Sequence, residues 1–324
     1  MIQSFTVTNP NGRSMVCELA NPYKEGLAVS SIEGLGPGQA TINVADISSM
    51  DGGLFNSARK STRNIVFNFV FVDHDTLTIE DIRRKCYAYF PLKKNVKLKF
   101  TTGNGILNKD FLIEGYVESN EPVIFSSLEG ATVSIICPNP YFYKASQQEE
   151  MFHDSATPEF YFAFSKDPVE EAGTKLLMGD IVNYVTTNIV YDGDADTGVV
   201  FEIVFKTDVN YDIENQEITV QNALTNTQTK FSLEKITDLV SEYEGMEEYE
   251  GIVAGDKIIL STVKGSKYLI YIHDGVEYNV LSAITSSGQW VYITGGINTI
   301  AIKKDDPDLE ILASSKNKIY FYGV

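Results

Sequence analysis

The stretch EGLGPGQATINVADISSMDGGLFNSARKSTRNI, residues 33–65, decides the fold of this chain. It opens with a glycine-rich turn at residues 34–38 and continues as an alternating strand through residues 40–44. Asp51 and the two glycines after it predict a second turn, because glycine reaches positive φ cheaply and aspartate can bond its own backbone. By their chemistry alone, these residues predict a structured β-loop and no reaction.

Arg59 and Arg63 close this stretch. A guanidinium is a planar fork of donors that suits carboxylates in an interface. Both arginines are therefore candidates for fixing the Asp51 loop or for forming a contact between subunits.

A helix is predicted over residues 79–90, where Thr78 and Asp81 have the spacing of a capping box. Arg83 and Arg84 lie mainly on its polar side, and we take them as further candidates for a subunit interface. Lysines alternate with apolar residues just after the helix. That pattern favours either a basic patch for an acidic neighbour or the solvated edge of a strand.

The order glycine turn, alternating strand, Asp-Gly, Asn-Ser-Ala-Arg and Arg-Asn-Ile resembles the N-terminal domain of distal tail proteins of long-tailed phages. The resemblance continues through a strand, the helix and further strands to Cys-Pro-Asn-Pro-Tyr-Phe-Tyr at residues 137–143. Later pieces, at residues 254–256, 295–298 and 320–324, resemble the galectin-like C-terminal domain of longer members more loosely. An acidic stretch at residues 234–251, which begins with a predicted short helix, departs from that pattern.

The resemblance implies a mainly β protein. It would have an N-terminal β-sandwich-like domain with one α-helix, followed by a C-terminal galectin-like jelly roll or β-sandwich. We place the ring-forming domain at residues 1–143, a polar linker at residues 144–156 and the galectin-like domain at residues 157–324.

The resemblance also implies a structural role in a virion, at the tail tip or baseplate. Distal tail proteins form a homohexameric ring that joins the tail tube protein to the tail hub and the receptor-binding protein, for host attachment. The tape measure and DNA pass through the lumen without stable binding. No cofactor, metal site, enzymatic activity or membrane insertion is implied, and synthesis in the host cytoplasm is expected.

Composition agrees with a large, acidic protein of more than one domain, since 324 residues exceed the usual size of a single core. Residues 1–143 carry a net charge of −1 and residues 144–324 carry −17, which makes −18 for the chain. Such acidity disfavours stable DNA binding, which needs clustered lysine and arginine. The three cysteines show no CxxC spacing, so neither a disulfide framework nor a zinc site is predicted. We find neither a signal peptide nor an apolar run long enough to span a membrane.

Two other function classes remain open from the sequence. A carbohydrate-binding module would use an aromatic platform, for which Trp290 is a weak glycan-stacking candidate. A glycoside hydrolase would need two carboxylates about 5–9.5 Å apart, and the sequence singles out no such pair. The three histidines are expected in surface loops, and the aspartates of residues 192–198 lack the glycine and glutamate of a calcium loop.

Overall fold

The computed structural model describes residues 1–46, 51–73, 76–103, 109–154, 183–210, 216–243, 249, 251–285 and 289–324. The chain divides into two compact units. The first unit contains residues 1–146 together with the last five, Tyr320–Val324, and the second contains residues 147–319. The prediction of a mainly β protein is confirmed.

This division differs in two ways from the one expected from the sequence. The expected linker at residues 144–156 contains two strands, Gln148–Met151 and His153–Asp154, which pair with other strands of the second unit. A polar stretch can be an edge strand as well as a linker, and composition does not separate the two. The second difference is that the last five residues belong to the first unit rather than to the second.

The first unit is an antiparallel sheet, a separate hairpin and a helix. Its elements are β1 Ile2–Thr8, β2 Ser14–Glu18, β3 Leu27–Glu33, β4 Ala40–Asp46, β5 Gly53–Lys60, β6 Arg63–Phe71, α1 Ile79–Tyr89, β7 Asn95–Thr102, β8 Lys109–Val123, β9 Gly130–Cys137, β10 Phe142–Lys144 and the C-terminal β24 Tyr320–Phe321. The main sheet has the order β2-β1-β7-β8-β9-β6-β3, and β10 pairs with both β8 and β24. Among the described residues, strands β4 and β5 pair only with each other.

The core of the first unit is aromatic. In β6, alternate residues are fully or nearly fully buried, among them Phe67 and Phe69. Their rings contact Phe5 and Phe90 with centroid separations between 5.0 and 6.0 Å, a spacing typical of favourable aromatic pairs. The other face of β6 is only half-buried, which differs from the sequence pattern of a strand apolar on both faces.

Helix α1 covers this core as the sequence predicts. The hydroxyl of Thr78 accepts a hydrogen bond from the Asp81 backbone, and the Asp81 carboxylate accepts one in return. Ile82 and Cys86, one turn apart, are both fully buried. The capping box and the apolar stripe both lie within a few residues along the chain, so local sequence alone could predict them.

The described residues of the second unit form two larger sheets and a small two-stranded one. Its strands are β11 Gln148–Met151, β12 His153–Asp154, β13 Tyr184–Tyr191, β14 Thr197–Gly198, β15 Val200–Phe205, β16 Glu217–Asn222, β17 Thr227–Ser232, β18 Lys257–Ser261, β19 Tyr268–His273, β20 Val276–Asn279, β21 Tyr292–Ile293, β22 Gly296–Lys304 and β23 Ile311–Asn317. The sheet orders are β11-β23-β15-β18-β19-β20, β12-β13-β22-β16-β17 and β14-β21. Burial alternates along the strands of both larger sheets, so each buries one face, as in a sandwich.

A second helix, α2 Leu233–Ser241, interrupts these strands where the acidic stretch was expected to begin with a helix. The Ser232 hydroxyl caps it by accepting a hydrogen bond from the Lys235 backbone. Its apolar residues Leu233, Ile236 and Val240 are buried. Most of the acidic loop that follows, at residues 244–248 and 250, lies outside the described residues.

Candidate functional site

The hairpin of β4 and β5 is the most exposed regular structure of the first unit. Every residue of β4 is exposed, and so is every residue of β5 except its last. Val44 and Phe55 face each other across the pair and are 55% and 62% exposed. Ile42, two residues before Val44, is 61% exposed on the same face, and Leu54 on the other face is 60% exposed. We call the three side chains of the first face, Ile42, Val44 and Phe55, the hairpin surface.

A two-stranded hairpin alone is at best marginally stable in water, because it buries too little apolar area to offset its ordering. Large exposed apolar side chains held together on a regular element mark an interaction site rather than ordinary surface. The hairpin surface therefore has the physical character of a surface that a partner covers.

Arg63 lies at the root of this hairpin and is only 4% exposed. Its guanidinium donates to the backbone carbonyls of Gly34, Gly36, Pro140 and Tyr322, the last three at 2.6, 2.7 and 2.6 Å. The same group lies over the ring of Phe142, 4.6 Å from its centroid. Burial lowers the pKa of Arg63 from its usual value.

Arg63 thus joins three segments that are distant in sequence: the glycine-rich turn, the end of the first 143 residues and the C-terminal tail. At Gly34, with φ of +82°, a Cβ would collide with the carbonyl oxygen of Asn64, so only glycine fits this turn. Beside it, the Lys60 ammonium lies 3.0 Å from the centroid of the Tyr322 ring. These contacts fix the root from which the hairpin extends.

The expected link between these arginines and Asp51 is not made within the chain. Asp51 is exposed and lies just before β5, whereas Arg59 and Arg63 lie at and beyond its far end. With a rise of about 3.4 Å per residue, the strand separates them by roughly 20 Å or more. Arg59 is exposed on the hairpin and pairs in register with Thr41.

The predicted basic patch is largely paired with acids of the same unit. Arg84 bonds Glu80 at 2.8 Å, one helical turn away, and Arg83 beside it is half-buried. Lys97 and Lys99 of β7 lie 3.2 and 3.3 Å from carboxylates of β8. Exposed pairs of this kind contribute little stability, but they reduce the net charge the segment offers to a partner.

Sequence reasoning missed a buried polar cluster in the second unit. Asp256, 5% exposed, accepts hydrogen bonds from the hydroxyl of Tyr271 and the backbone of Val253, the latter at 2.9 Å. His273, expected in a surface loop, ends β19 and bonds Asp256 at 2.9 Å through Nδ1. The hydroxyl of Tyr249 donates to that of Tyr271 at 2.8 Å.

This cluster anchors the end of the acidic stretch to the sheet. Burial first, and then the hydrogen bonds to Asp256 and Tyr249, raise the pKa of Tyr271. Its hydroxyl therefore keeps its proton and continues to donate to Asp256. The pairing of residues 256, 271 and 273 follows from the register of β18 with β19, in which Lys257 lies opposite Ile272.

The other residues with chemical potential have structural surroundings. All three cysteines are free and buried, and burial raises the pKa of each thiol to about 12. Trp290 is half-buried, and the Lys267 ammonium lies 4.6 Å from the centroid of its ring. His153 is exposed on β12, while His74 lies outside the described residues. Among the described residues no group of three or more His, Cys, Asp or Glu side chains is arranged to hold a metal ion.

In the described part of the chain no helix has the length and apolar character needed to cross a membrane.

Comparison with known proteins identifies relatives by structure alone. No protein-family model matches the sequence, and no curated protein matches it. The crystal structure of the Dit (gp 19.1) protein of phage SPP1, described as a paradigm of the hub adsorption apparatus in phages infecting Gram-positive hosts, matches with a TM-score of 0.57. The match is 14% identical and covers 97% of this chain and 99% of that one.

Chains from two structures of the phage P2 baseplate in its activated conformation, with Ca and with Sr, also match over nearly their full length. The first is 11% identical with a TM-score of 0.44 and covers 98% of each chain. The second is 10% identical with a TM-score of 0.40 and covers 97% of each chain. At these TM-scores the two matches add nothing to the fold assignment. On the SPP1 match, this chain has the fold of a phage Dit hub protein along almost its whole length, as the sequence resemblance predicts.

Proposed function

We propose that this chain is a structural subunit of the tail tip of a phage or phage-derived particle, where six copies form a ring. The ring joins the tail tube to the tail hub and the receptor-binding protein. The observation that carries this proposal is the hairpin surface, an apolar surface on a regular element with no covering partner in the described chain. The shared fold with the SPP1 Dit protein supports the same role.

A cyclic ring needs two different patches, because each subunit contacts its neighbours head to tail. The hairpin surface supplies one patch. For the other we favour the connection between β8 and β9, where Val123, Phe125 and Leu128 are 49%, 97% and 67% exposed. The basic segment at residues 83–99 suits this purpose less, since several of its charges already have partners. A contact between two apolar patches removes more apolar surface from water than a contact between one apolar patch and one charged patch.

The proposed ring passes the tape measure and DNA through its lumen without holding them. Residues 144–324 carry a net charge of −17, which repels a polyanion, and stable DNA binding requires clustered cations against phosphate. In this role the chain carries out no reaction and contributes only its interfaces.

The mass of the purified protein tests the ring. We expect native mass spectrometry and light scattering to show a species about six times the 36.0 kDa monomer. The double substitution Val44→Asp, Phe55→Asp adds two charges to the hairpin surface, so it should leave only monomer with an unchanged circular dichroism spectrum. Burying an unpaired charge costs several kcal/mol, enough to dissociate the ring.

Ile297→Asp is the control. Ile297 is 63% exposed on β22 of the second unit, so the substitution places a carboxylate on an exposed apolar site away from the hairpin surface. This variant should assemble like the wild type. A wild-type protein that remains at the monomer mass over a wide range of concentrations would contradict the proposal. So would a ring that survives the double substitution.

A further inference from the structure

The second unit has a polar cavity at the turn between β16 and β17. Its volume is about 360 Å³, which lies within the range of about 300–1,000 Å³ typical of small-molecule sites. Five side-chain amides line it: Gln221 and Gln228 from facing positions of the two strands, Asn222 at the end of β16, Asn226 from the turn and Gln289 from the segment that leads into β21.

Hydrogen bonds fix the backbone around this cavity. The buried amide of Asn222 donates to the Tyr292 carbonyl at 2.7 Å and to the Asn298 side chain at 3.0 Å, and it accepts from the Leu224 backbone at 3.0 Å. The Val291 backbone donates to the Thr229 hydroxyl at 3.1 Å. Both walls are therefore tied together before any ligand arrives, which lowers the ordering cost of binding.

The chemistry of the lining selects the ligand. None of the described residues that line the cavity is charged, so it offers neither a cation for a phosphate or carboxylate nor an anion for a metal ion. An amide presents one acceptor oxygen and two donor hydrogens, and a hydroxyl is both a donor and an acceptor. A neutral ligand that carries several hydroxyl groups can form hydrogen bonds with four of these amides, those of Gln221, Asn226, Gln228 and Gln289. The net charge of −17 on residues 144–324 further disfavours anionic polymers.

Trp290, the aromatic residue that the sequence suggests for sugar stacking, does not line this cavity. The Lys267 ammonium lies over its ring. The side chains available to contact a ligand in this cavity are therefore the amides of the β16–β17 hairpin and of Gln289, which precedes Trp290 in the sequence.

From this cavity we propose a binding site for a neutral saccharide, held by hydrogen bonds from its hydroxyls to the amides of Gln221, Asn226, Gln228 and Gln289. The site goes beyond the ring-forming role and does not depend on it, because every residue involved belongs to the second unit.

Saturation-transfer NMR on the full chain tests the site. The probes are neutral hexoses, N-acetylhexosamines and their disaccharides, with glucose 6-phosphate and glucuronate as anionic counterparts. We expect saturation of at least one neutral sugar and of neither anionic one. Gln289→Ala should weaken that binding about five- to tenfold, the loss expected from one hydrogen bond.

Asn226→Gly provides a second test. This substitution should not destabilise the fold, because Asn226 has a φ of +52°, which glycine adopts freely. It should weaken sugar binding to a similar extent without lowering the unfolding temperature. Asn279→Ala, an exposed amide on β20 outside the cavity, is the matched control and should bind like the wild type. The proposal is overturned if no neutral sugar receives saturation, if the anionic sugars bind equally well, or if both cavity variants bind like the wild type.

Discussion

Replacing Arg63 should unfold the first unit selectively, because this single side chain satisfies four backbone carbonyls from distant segments. Arg63→Ala removes all four bonds, whose acceptor carbonyls belong to exposed or half-buried residues. Arg63→Lys keeps the charge but loses the planar fork, so one ammonium cannot reach all four carbonyls in their present directions. We expect the lysine variant to lose at least half as much stability as the alanine variant.

The magnitude follows from the contacts. A hydrogen bond to a charged group contributes about 1.5–3 kcal/mol. The four bonds share one side chain and are not additive, so we expect a loss equal to about two such bonds, roughly 3–6 kcal/mol. Total stabilities are about 5–15 kcal/mol. The alanine variant should therefore lose about a fifth or more of the stability of its unit.

Urea denaturation measures this loss separately in the two units. The chain has one tryptophan, Trp290, and it belongs to the second unit. Tryptophan fluorescence therefore follows the second unit, while far-UV circular dichroism follows both. With an m-value of about 2 kcal/mol/M, Arg63→Ala should lower the midpoint of the first unit by about 2 M and leave the tryptophan midpoint in place.

Arg59→Ala is the control for this experiment. Arg59 is exposed on the hairpin, so its removal should change stability by no more than about 0.5 kcal/mol. If Arg63→Ala lowered the midpoint of the first unit by less than about 0.5 M, the four carbonyl contacts would not hold the root of the hairpin. An equal shift in the tryptophan signal would show that the effect is not confined to the first unit.

Three further predictions concern other parts of the chain. Deleting Tyr320–Val324 should destabilise the first unit, because the deletion removes the pairing of β24 with β10 and the Tyr322 carbonyl that Arg63 binds. The same urea experiment measures this loss of stability, and an unchanged midpoint of the first unit would refute the prediction. The three buried thiols, with pKa values near 12, should react with a thiol reagent at neutral pH only after unfolding, so rapid labelling of the folded chain would contradict their burial. Because each folded pKa lies above the ordinary value of 9.0, their contribution to stability is present below about pH 9 and is lost as the pH rises towards 12. Tyr271→Phe should lower the stability of the second unit by about 1–3 kcal/mol, since it leaves the buried Asp256 short of a donor, and a tryptophan-detected midpoint equal to that of the wild type would exclude this role.

The sequence alone determined the features that depend on short spacings. Strand alternation predicted the mainly β fold, and the capping box at Thr78 and Asp81 predicted the first helix. The glycine turn at residues 34–38 and the order of motifs around it predicted the fold of a distal tail protein, and the SPP1 protein shares its fold with this chain. The turn, the alternation and the capping box each lie within a few residues, where local backbone preferences and periodicity act, and the resemblance depends on the order of such short motifs.

Only the tertiary structure decided which residues distant in sequence are in contact and which surfaces remain exposed to solvent. Two of the carbonyls bound by Arg63 belong to residues 77 and 259 positions away in the sequence. No local sequence pattern predicts a hydrogen bond to a distant backbone oxygen. The same holds for Asp256 and His273, joined by the register of neighbouring strands, and for the tail that returns to the first unit. In β4 the alternating pattern predicted a strand but not its exposure on both faces, because exposure depends on what the rest of the chain leaves uncovered.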